Sequence, residues 1–160
     1  DPGEQVDLHY QPLFRYQSVL ALANQHPLVQ QRCIQPADLR EETLIHYPVD
    51  RHRLDIFERF LTPKGIEPKA TRQTELTLMM VQLVASGRGV ACLPSWALQP
   101  YLDSGLISTR PLGEEGVWPT LYAAIRREQL DSPFMQDFFQ QALDSCFRHL
   151  PGIQPAVVKE

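Results

Sequence analysis

The sequence predicts an α/β protein built on an open and largely parallel sheet. The stretch from Thr74 to Pro94 carries most of this prediction, because an apolar pattern of helical period, a glycine turn and a short apolar run follow one another there. Val90 to Leu93 is apolar throughout, which is typical of a strand covered on both faces. Elsewhere apolar runs alternate with amphipathic segments, and that order favours parallel strands joined by helices.

Four elements are predicted before residue 50. Leu8 to Phe14 is expected to be an edge strand, because Pro12 cannot donate to a neighbouring strand. Ser18 to Ala23 is expected to be a fully buried strand, and Pro36 to Leu39 a single helical turn with proline at its start. Thr43 to Tyr47 reads as a further strand that stops at Pro48.

The middle of the chain contains the clearest helical patterns. Arg51 to about Pro63 is predicted to be one amphipathic helix that ends near Gly65, followed by a short strand from Pro68 to Gln73. Thr74 is expected to be the N-cap of the next helix, which should end at Gly87. The apolar stripe of that helix is expected to comprise Leu76, Met79, Met80, Leu83 and Val84.

The last third continues the alternation. A helix is predicted from Ser95 to Leu102 and short strands from Leu106 to Ser108 and from Thr120 to Ile125. A long helix is predicted to begin after Ser132 as N-cap and to run to about Arg148. Residues 151–160 are expected to form a flexible tail.

Composition excludes several classes of function. The formal net charge is −4 and the sequence pI is about 5.7, so the chain is not expected to hold nucleic acid by itself. Cys33, Cys92 and Cys146 lack zinc-binding spacing and are expected to be reduced thiols of a cytosolic protein. No apolar run approaches the roughly 18–20 residues of a membrane span, and no export signal is recognised.

No catalytic constellation is recognised in the sequence. Cys92 lies inside an apolar strand and is expected to be a small buried hydrophobe, and the histidines do not have metal-ligand spacing. We therefore expect no enzyme activity, no metal and no cofactor. Two helix starts that follow strands remain as candidate anion sites, the turn from Tyr47 to Arg51 and the pair Thr74 and Glu75. Ordinary helix capping and solvation explain them about equally well.

Three segments resemble the effector-binding domain of LysR-type transcriptional regulators, namely Val84–Pro94, Leu20–Leu28 and Leu102–Ile107. Four more are similar to the family's regulators of methionine-biosynthesis genes: His46–Pro48, Arg51–Asp55, Thr77–Gln82 and Leu121–Arg126. The resemblance covers about residues 8–150.

The resemblance implies a two-lobed fold like that of periplasmic binding proteins, with Rossmann-like lobes and an incomplete first lobe. Residues 1–43 and 118–150 would form the partial first lobe, and residues 44–117 the complete second lobe. The implied effector is homocysteine or a similar amino acid, bound between the lobes. Of the residues that bind it, Tyr47, Arg51, Thr74 and Glu75 are carried over.

The resemblance also implies partners. DNA would be bound only through a winged helix-turn-helix that this sequence does not contain, and the regulator would be a cytoplasmic homo-oligomer. Leu78 and Val81 make the helix after Thr74 apolar beyond one stripe, so its outer face is expected to contact another subunit. A small-molecule solute-binding module of the periplasmic type remains the alternative, and the reading frame before Asp1 would distinguish the two.

Overall fold

The computed structural model describes residues 7–156, which divide into two compact units. The larger unit comprises residues 17–119, and the smaller comprises the residues up to Tyr16 together with those from Thr120 onward. The strands are β1 (Leu8–Arg15), β2 (Ser18–Leu22), β3 (Thr43–His46), β4 (Ala70–Gln73), β5 (Val90–Pro94), β6 (Ser108–Pro111), β7 (Thr120–Arg126) and β8 (Gln154–Pro155). The α-helices are α1 (Thr77–Ala85), α2 (Ser95–Asp103) and α3 (Pro133–His149).

The larger unit contains a five-stranded sheet of order β4-β3-β5-β2-β6. β3 is parallel to both β4 and β5, whereas β2 is antiparallel to β5 and to β6. Four of these strands therefore point the same way and β2 opposes them, so the predicted α/β class with a largely parallel sheet is confirmed. Because β2 pairs on both sides within this sheet, residues 17–43 cluster with residues 44–117 and not with residues 1–16.

Hydrophobic side chains cover both faces of this sheet. Along β2, Val19 and Ala21 belong to the cluster under α1 and α2, while Leu20 and Leu22 belong to the cluster on the opposite face. Successive strand residues point to opposite faces, so a strand between two clusters needs apolar side chains on both faces, as Val19 to Leu22 provide. All five residues of β2 are buried, as the sequence predicts.

Helix α1 begins later than predicted and buries a different stripe. Its N-cap is Leu76, and the backbone N–H of Thr74 instead donates to the carbonyl of His46 over 3.1 Å, which continues the pairing of β4 with β3. The buried residues of α1 are Met80, Val81 and Val84. The exposed apolar residues are Leu76, Leu78 and Met79. The predicted end is confirmed, since Gly87 has φ +71°.

The predicted single helix from Arg51 to Pro63 is wrong. The structure has a 3₁₀ turn at Arg51–Arg53, a π-helical segment at Ile56–Leu61 and another 3₁₀ turn at Thr62–Lys64. The wider π turn lets four residues of one segment reach the core, and Ile56, Phe57, Phe60 and Leu61 are all buried. The segment ends at Gly65 with φ +63°, as predicted.

The remaining short elements of the larger unit need few changes. The predicted turn at Pro36 is a 3₁₀ helix from Pro36 to Glu41, and a similar helix spans Pro27–Gln30. The strand predicted at Leu106–Ser108 begins only at Ser108, because Leu106 completes the turn after α2 by donating its N–H to the carbonyl of Tyr101.

The smaller unit has a three-stranded antiparallel sheet of order β7-β1-β8 and the helix α3. β1 is central and not an edge strand, which contradicts the prediction. Pro12 is tolerated because the register with β7 shifts between Pro12 and Phe14, and β8 pairs only with Phe14 and Arg15.

Helix α3 and the tail complete this unit. Ser132 is the N-cap of α3 as predicted, but its side chain makes no capping hydrogen bond. None of the 17 residues of α3 is buried. Part of the predicted tail, Gln154–Pro155, is β8, while residues 157–160 and residues 1–6 lie outside the described residues. Between residues 7 and 156, no helix is both long and apolar enough to cross a membrane.

Candidate functional site

The candidate site lies at the C-terminal ends of the parallel strands β3, β4 and β5 of the five-stranded sheet. The register pairs His46 with Gln73, so β3 and β4 finish at the same level, and it pairs Ile45 with Ala91, so β5 runs about two residues further in the same direction. Tyr47 follows β3, Thr74 follows β4 and Ser95 follows β5. Open α/β sheets bind their ligands at the C-terminal ends of their parallel strands.

The structure brings Tyr47 and Thr74 together. The Thr74 N–H bonds to the carbonyl of His46, the residue before Tyr47. His46 is buried, and its Nδ1–H donates to the carbonyl of Tyr47 over 2.7 Å. These two bonds fix the backbone on both sides of the peptide that joins His46 to Tyr47, so the end of β3 is a rigid support for the tyrosine ring.

Tyr47 also contacts the start of α1. Its phenol oxygen lies 2.6 Å from Oγ1 of Thr77, the first residue of that helix. The Tyr47 ring packs against the cluster under α1 and α2. Sequence reasoning missed Thr77, because its contact with Tyr47 spans 30 positions of the chain.

Arg51 is engaged elsewhere. Its Nη1 donates to Oε2 of Glu67 over 2.7 Å, and its guanidinium carbon lies 4.6 Å from the centre of the Phe57 ring. Phe57 belongs to the cluster on the face opposite α1, whereas Tyr47 packs on the α1 side. The structure therefore does not place the Arg51 guanidinium with the Tyr47 and Thr77 hydroxyl groups.

Glu75 supplies an exposed negative charge two positions before Thr77. It lies between Thr74 and the N-cap Leu76, and forms no ion pair within residues 7–156. Leu76 has no side-chain acceptor, so the first amides of α1 receive no side-chain cap. Hydroxyl and amide donors are groups that bind carboxylates, and a carboxylate such as that of Glu75 is a group that binds an ammonium ion.

A second polar cluster involves the start of β2 and was also missed from sequence. The Ser18 hydroxyl donates to Oδ2 of Asp55 over 3.2 Å, and Nε of Arg59 lies 3.1 Å from Oδ1 of the same carboxylate. Burial and then the charge of Asp55 raise the pKa of the nearby Cys92 thiol well above its ordinary value. Cys92 is thus a protonated side chain and not a nucleophile; it packs on the core, but the residue is only partly buried and not fully buried as predicted.

A cavity of about 450 Å³ lies in the smaller unit. Its walls are formed by Gln11, Pro12, Leu13, Leu143, Phe147, Pro155 and Ala156. This wall carries no ionisable side chain, so it lacks the charged groups that would recognise an amino acid. Within the described part of the chain, no three His, Cys, Asp or Glu side chains form a metal-binding group.

Comparison with known proteins identifies close relatives. The family model described as the LysR substrate binding domain matches residues 1–147. The chain is 41% identical over 149 residues to the HTH-type transcriptional regulator MetR of Escherichia coli strain K12, which covers 93% of this chain and 46% of that protein. It is 40% identical over 147 residues to MetR of Haemophilus influenzae, and this match covers 92% of this chain and 47% of that protein. The chain thus spans about half the length of these curated relatives.

The fold agrees with these sequence matches. The solved regulatory domain of MetR, a LysR family regulator from N. meningitidis, superposes with a TM-score of 0.88 at 39% identity. The match covers 98% of this chain and 72% of that one. Two-lobed domains of this family have the fold of periplasmic binding proteins, which agrees with the fold expected from sequence.

Proposed function

Since the chain belongs to the LysR substrate-binding-domain family and is similar to MetR, we propose that it senses homocysteine, or a closely similar amino acid, for a regulator of methionine-biosynthesis genes. The larger unit would correspond to the second lobe. The effector would lie at the C-terminal ends of β3 and β4, which Tyr47, Thr74 and Glu75 follow. The observation that supports this most is the hydrogen bond that holds the Tyr47 hydroxyl at the end of β3 to Thr77, which is close in sequence to the exposed Glu75 carboxylate before α1. An amino acid carries the two complementary charges.

Arg51 enters this proposal as an outer member of the site. Its guanidinium is bound to Glu67, so it would reach an effector carboxylate only by exchanging that partner. Both side chains of the pair are more than half exposed, so the exchange costs little. Arg51 would then tune affinity, while Tyr47 and Thr74 would provide the permanent contacts.

The partners follow from the same proposal. DNA would be bound by another part of the regulator, because this chain is acidic overall and spans about half of the MetR proteins it matches. The regulator would work in the cytoplasm as a homo-oligomer, with effector binding shifting the population of two conformations. The exposed face of α1 formed by Leu76, Leu78 and Met79 would contact a second copy. No enzyme activity is needed for this role.

The alternative function is a solute-binding module of the periplasmic type, which shares the two-lobed fold. The match of 147 residues to a regulator family favours the sensor domain. Reading the gene upstream of Asp1 distinguishes them, because a helix-turn-helix reading frame supports the regulator and an export signal contradicts it.

Titration of this chain with homocysteine, followed by amide resonances in ¹H–¹⁵N spectra, tests the proposed effector. We expect weak but saturable binding, because the chain spans only part of the solved MetR regulatory domain it matches. The shifted resonances should include Tyr47, Thr74 and Glu75, and methionine and cysteine serve as ligands of the same class. Equal shifts for all three amino acids, or none for homocysteine, would reject homocysteine as the effector.

A further inference from the structure

The contact between Tyr47 and Thr77 is a bond between two hydroxyl groups. Their oxygens lie 2.6 Å apart, in the usual range for an O–H···O hydrogen bond. Tyr47 follows the end of β3 and Thr77 opens α1, so the bond joins the strand end to the helix start. Both side chains are partly buried, and within residues 7–156 neither makes another side-chain hydrogen bond.

Counting protons shows what this pair can still do. Each hydroxyl has one O–H donor and can also accept. One proton lies between the two oxygens, whichever group donates it. The second proton is therefore available to a further acceptor, and it belongs to an oxygen whose position the first bond has already fixed.

We propose that Thr77 is a positioning residue of the effector site, whose hydroxyl donates to the Tyr47 phenol oxygen so that the Tyr47 O–H donates to a carboxylate oxygen of the effector. This inference rests on the proposed function, since it assigns a role within the same site. Thr77 acts through Tyr47 and through the proton that the two groups share. The class of ligand group that it serves is an oxygen anion, not the ammonium or thiol end of the effector.

The physical basis is preorganisation. A tyrosine hydroxyl that is free to rotate loses conformational entropy when a ligand fixes it, and that loss weakens binding. Thr77 removes this freedom before the ligand arrives, and the bonds from Thr74 and His46 fix the backbone below the ring in the same way. A purely structural tie between β3 and α1 predicts a change in stability alone, so the two roles can be separated by experiment.

The test measures the affinity of Thr77→Val, Thr77→Ser and Tyr47→Phe for two probes by the same resonance titration. One probe is homocysteine, and the other is 3-aminopropane-1-thiol, which keeps the thiol and ammonium groups and lacks the carboxylate. We expect Thr77→Val to weaken homocysteine binding by up to about tenfold, because the ligand itself must then fix the Tyr47 hydroxyl, and to leave the second probe unchanged. Thr77→Ser should restore the affinity.

The double variant Thr77→Val with Tyr47→Phe should bind homocysteine as weakly as Tyr47→Phe alone, because Thr77 acts only through the Tyr47 hydroxyl. Equal loss for the two probes, additive losses in the double variant or failure of Thr77→Ser to restore binding would overturn the positioning role. Failure of the unmodified chain to bind homocysteine would instead reject the proposed function, and the inference with it. Urea unfolding of each variant checks that the fold is intact.

Discussion

The carbonyl oxygen of Thr43 lies 2.5 Å from the place that a Cβ atom would occupy on Gly89. Gly89 also has φ +150°, a conformation that residues with a side chain rarely adopt. Two constraints therefore demand glycine at the entrance to β5, where the chain passes the first residue of β3. The contact is with a backbone atom inside the sheet, so it cannot be relieved by moving a flexible side chain.

Gly89→Ala should therefore destabilise the protein by about 3 kcal/mol or more in urea unfolding, through backbone strain and overpacking together. Gly105→Ala is the matched control, because Gly105 has φ +68° and no atom lies within 4 Å of the added methyl group. The control should lower the free energy of unfolding by only about 1 kcal/mol, which is the effect of placing a side chain at a positive φ without a close contact. Equal losses for the two variants would contradict the close approach to Thr43.

The bond from Ser18 to Asp55 predicts a second stability effect. Ser18 is buried and its hydroxyl donates to the Asp55 carboxylate, so Ser18→Ala should lower the free energy of unfolding by about 1–2 kcal/mol. Ser104→Ala is the control, because it removes an exposed hydroxyl that bonds to the carbonyl of Tyr101. It should change the free energy of unfolding by less than about 0.5 kcal/mol. The prediction fails if both variants unfold at the same urea concentration.

Local sequence signals predicted the parts of the fold that depend on one segment at a time. Apolar runs located β2 and β5, and the positive φ angles of Gly65 and Gly87 end their helical segments where the sequence predicted. The errors concern pairing partners. Thr74 was read as a cap, but it bonds to His46, which is 28 positions earlier, and β1 was read as an edge strand although β8 pairs with its far end.

The candidate site shows the same division. Helix starts after strands pointed to Tyr47 and Thr74, because that rule needs only the order of elements. The partners of these residues were not predictable, since the contact of Tyr47 with Thr77 spans 30 positions and that of Arg51 with Glu67 spans 16. Which cation or hydroxyl group is available to a ligand depends on such contacts.

The ion pair of Arg51 with Glu67 gives a prediction on affinity. Glu67→Gln removes the competing carboxylate, so homocysteine should bind about two- to threefold more tightly if Arg51 exchanges partners as proposed, a gain in line with an exposed ion pair. Arg51→Gln should weaken binding by a similar factor. Arg53→Gln, a charge-matched control in the same exposed turn, should have no effect. Unchanged affinity in Glu67→Gln would remove Arg51 from the site.

Cys92 should be the slowest of the three thiols to react with an aromatic disulfide reagent. Burial and the charge of Asp55 raise its pKa, and the thiolate is the reactive form. Cys33 and Cys146 serve as internal references, and Cys92→Ala should remove only the slow phase. Fast labelling of all three thiols in the folded chain would contradict this assignment.

The raised pKa of Cys92 also predicts how the stability of the fold changes with pH. The pKa of Cys92 is higher in the folded than in the unfolded chain, so the unfolded state loses its proton first as the pH rises. The stabilising contribution is thus complete below the ordinary thiol pKa of about 8.5 and is lost progressively above it. The difference in unfolding free energy between the unmodified chain and Cys92→Ala should shrink from pH 8 to higher pH in matched buffers, at about 25 °C. A constant difference would show that the thiol does not ionise on unfolding.

The exposed apolar face of α1 predicts how the chain self-associates. Val81, which the sequence assigned to the outer face, is buried within its own unit, whereas Leu78 is 55% exposed and lies beside the exposed Leu76 and Met79. Leu78→Asp should therefore raise the monomer fraction in sedimentation velocity, because it places a charge where a second copy would bury an apolar side chain. Its free energy of unfolding should stay within about 0.5 kcal/mol of the unmodified chain, since the position contributes nothing to the core.

Gln82→Asp is the control, because it adds the same charge to an exposed polar position of α1 and should leave the association constant almost unchanged. If both variants sediment as the unmodified chain does, the subunit contact lies on another surface. If both dissociate equally, net charge and not the apolar face controls the association.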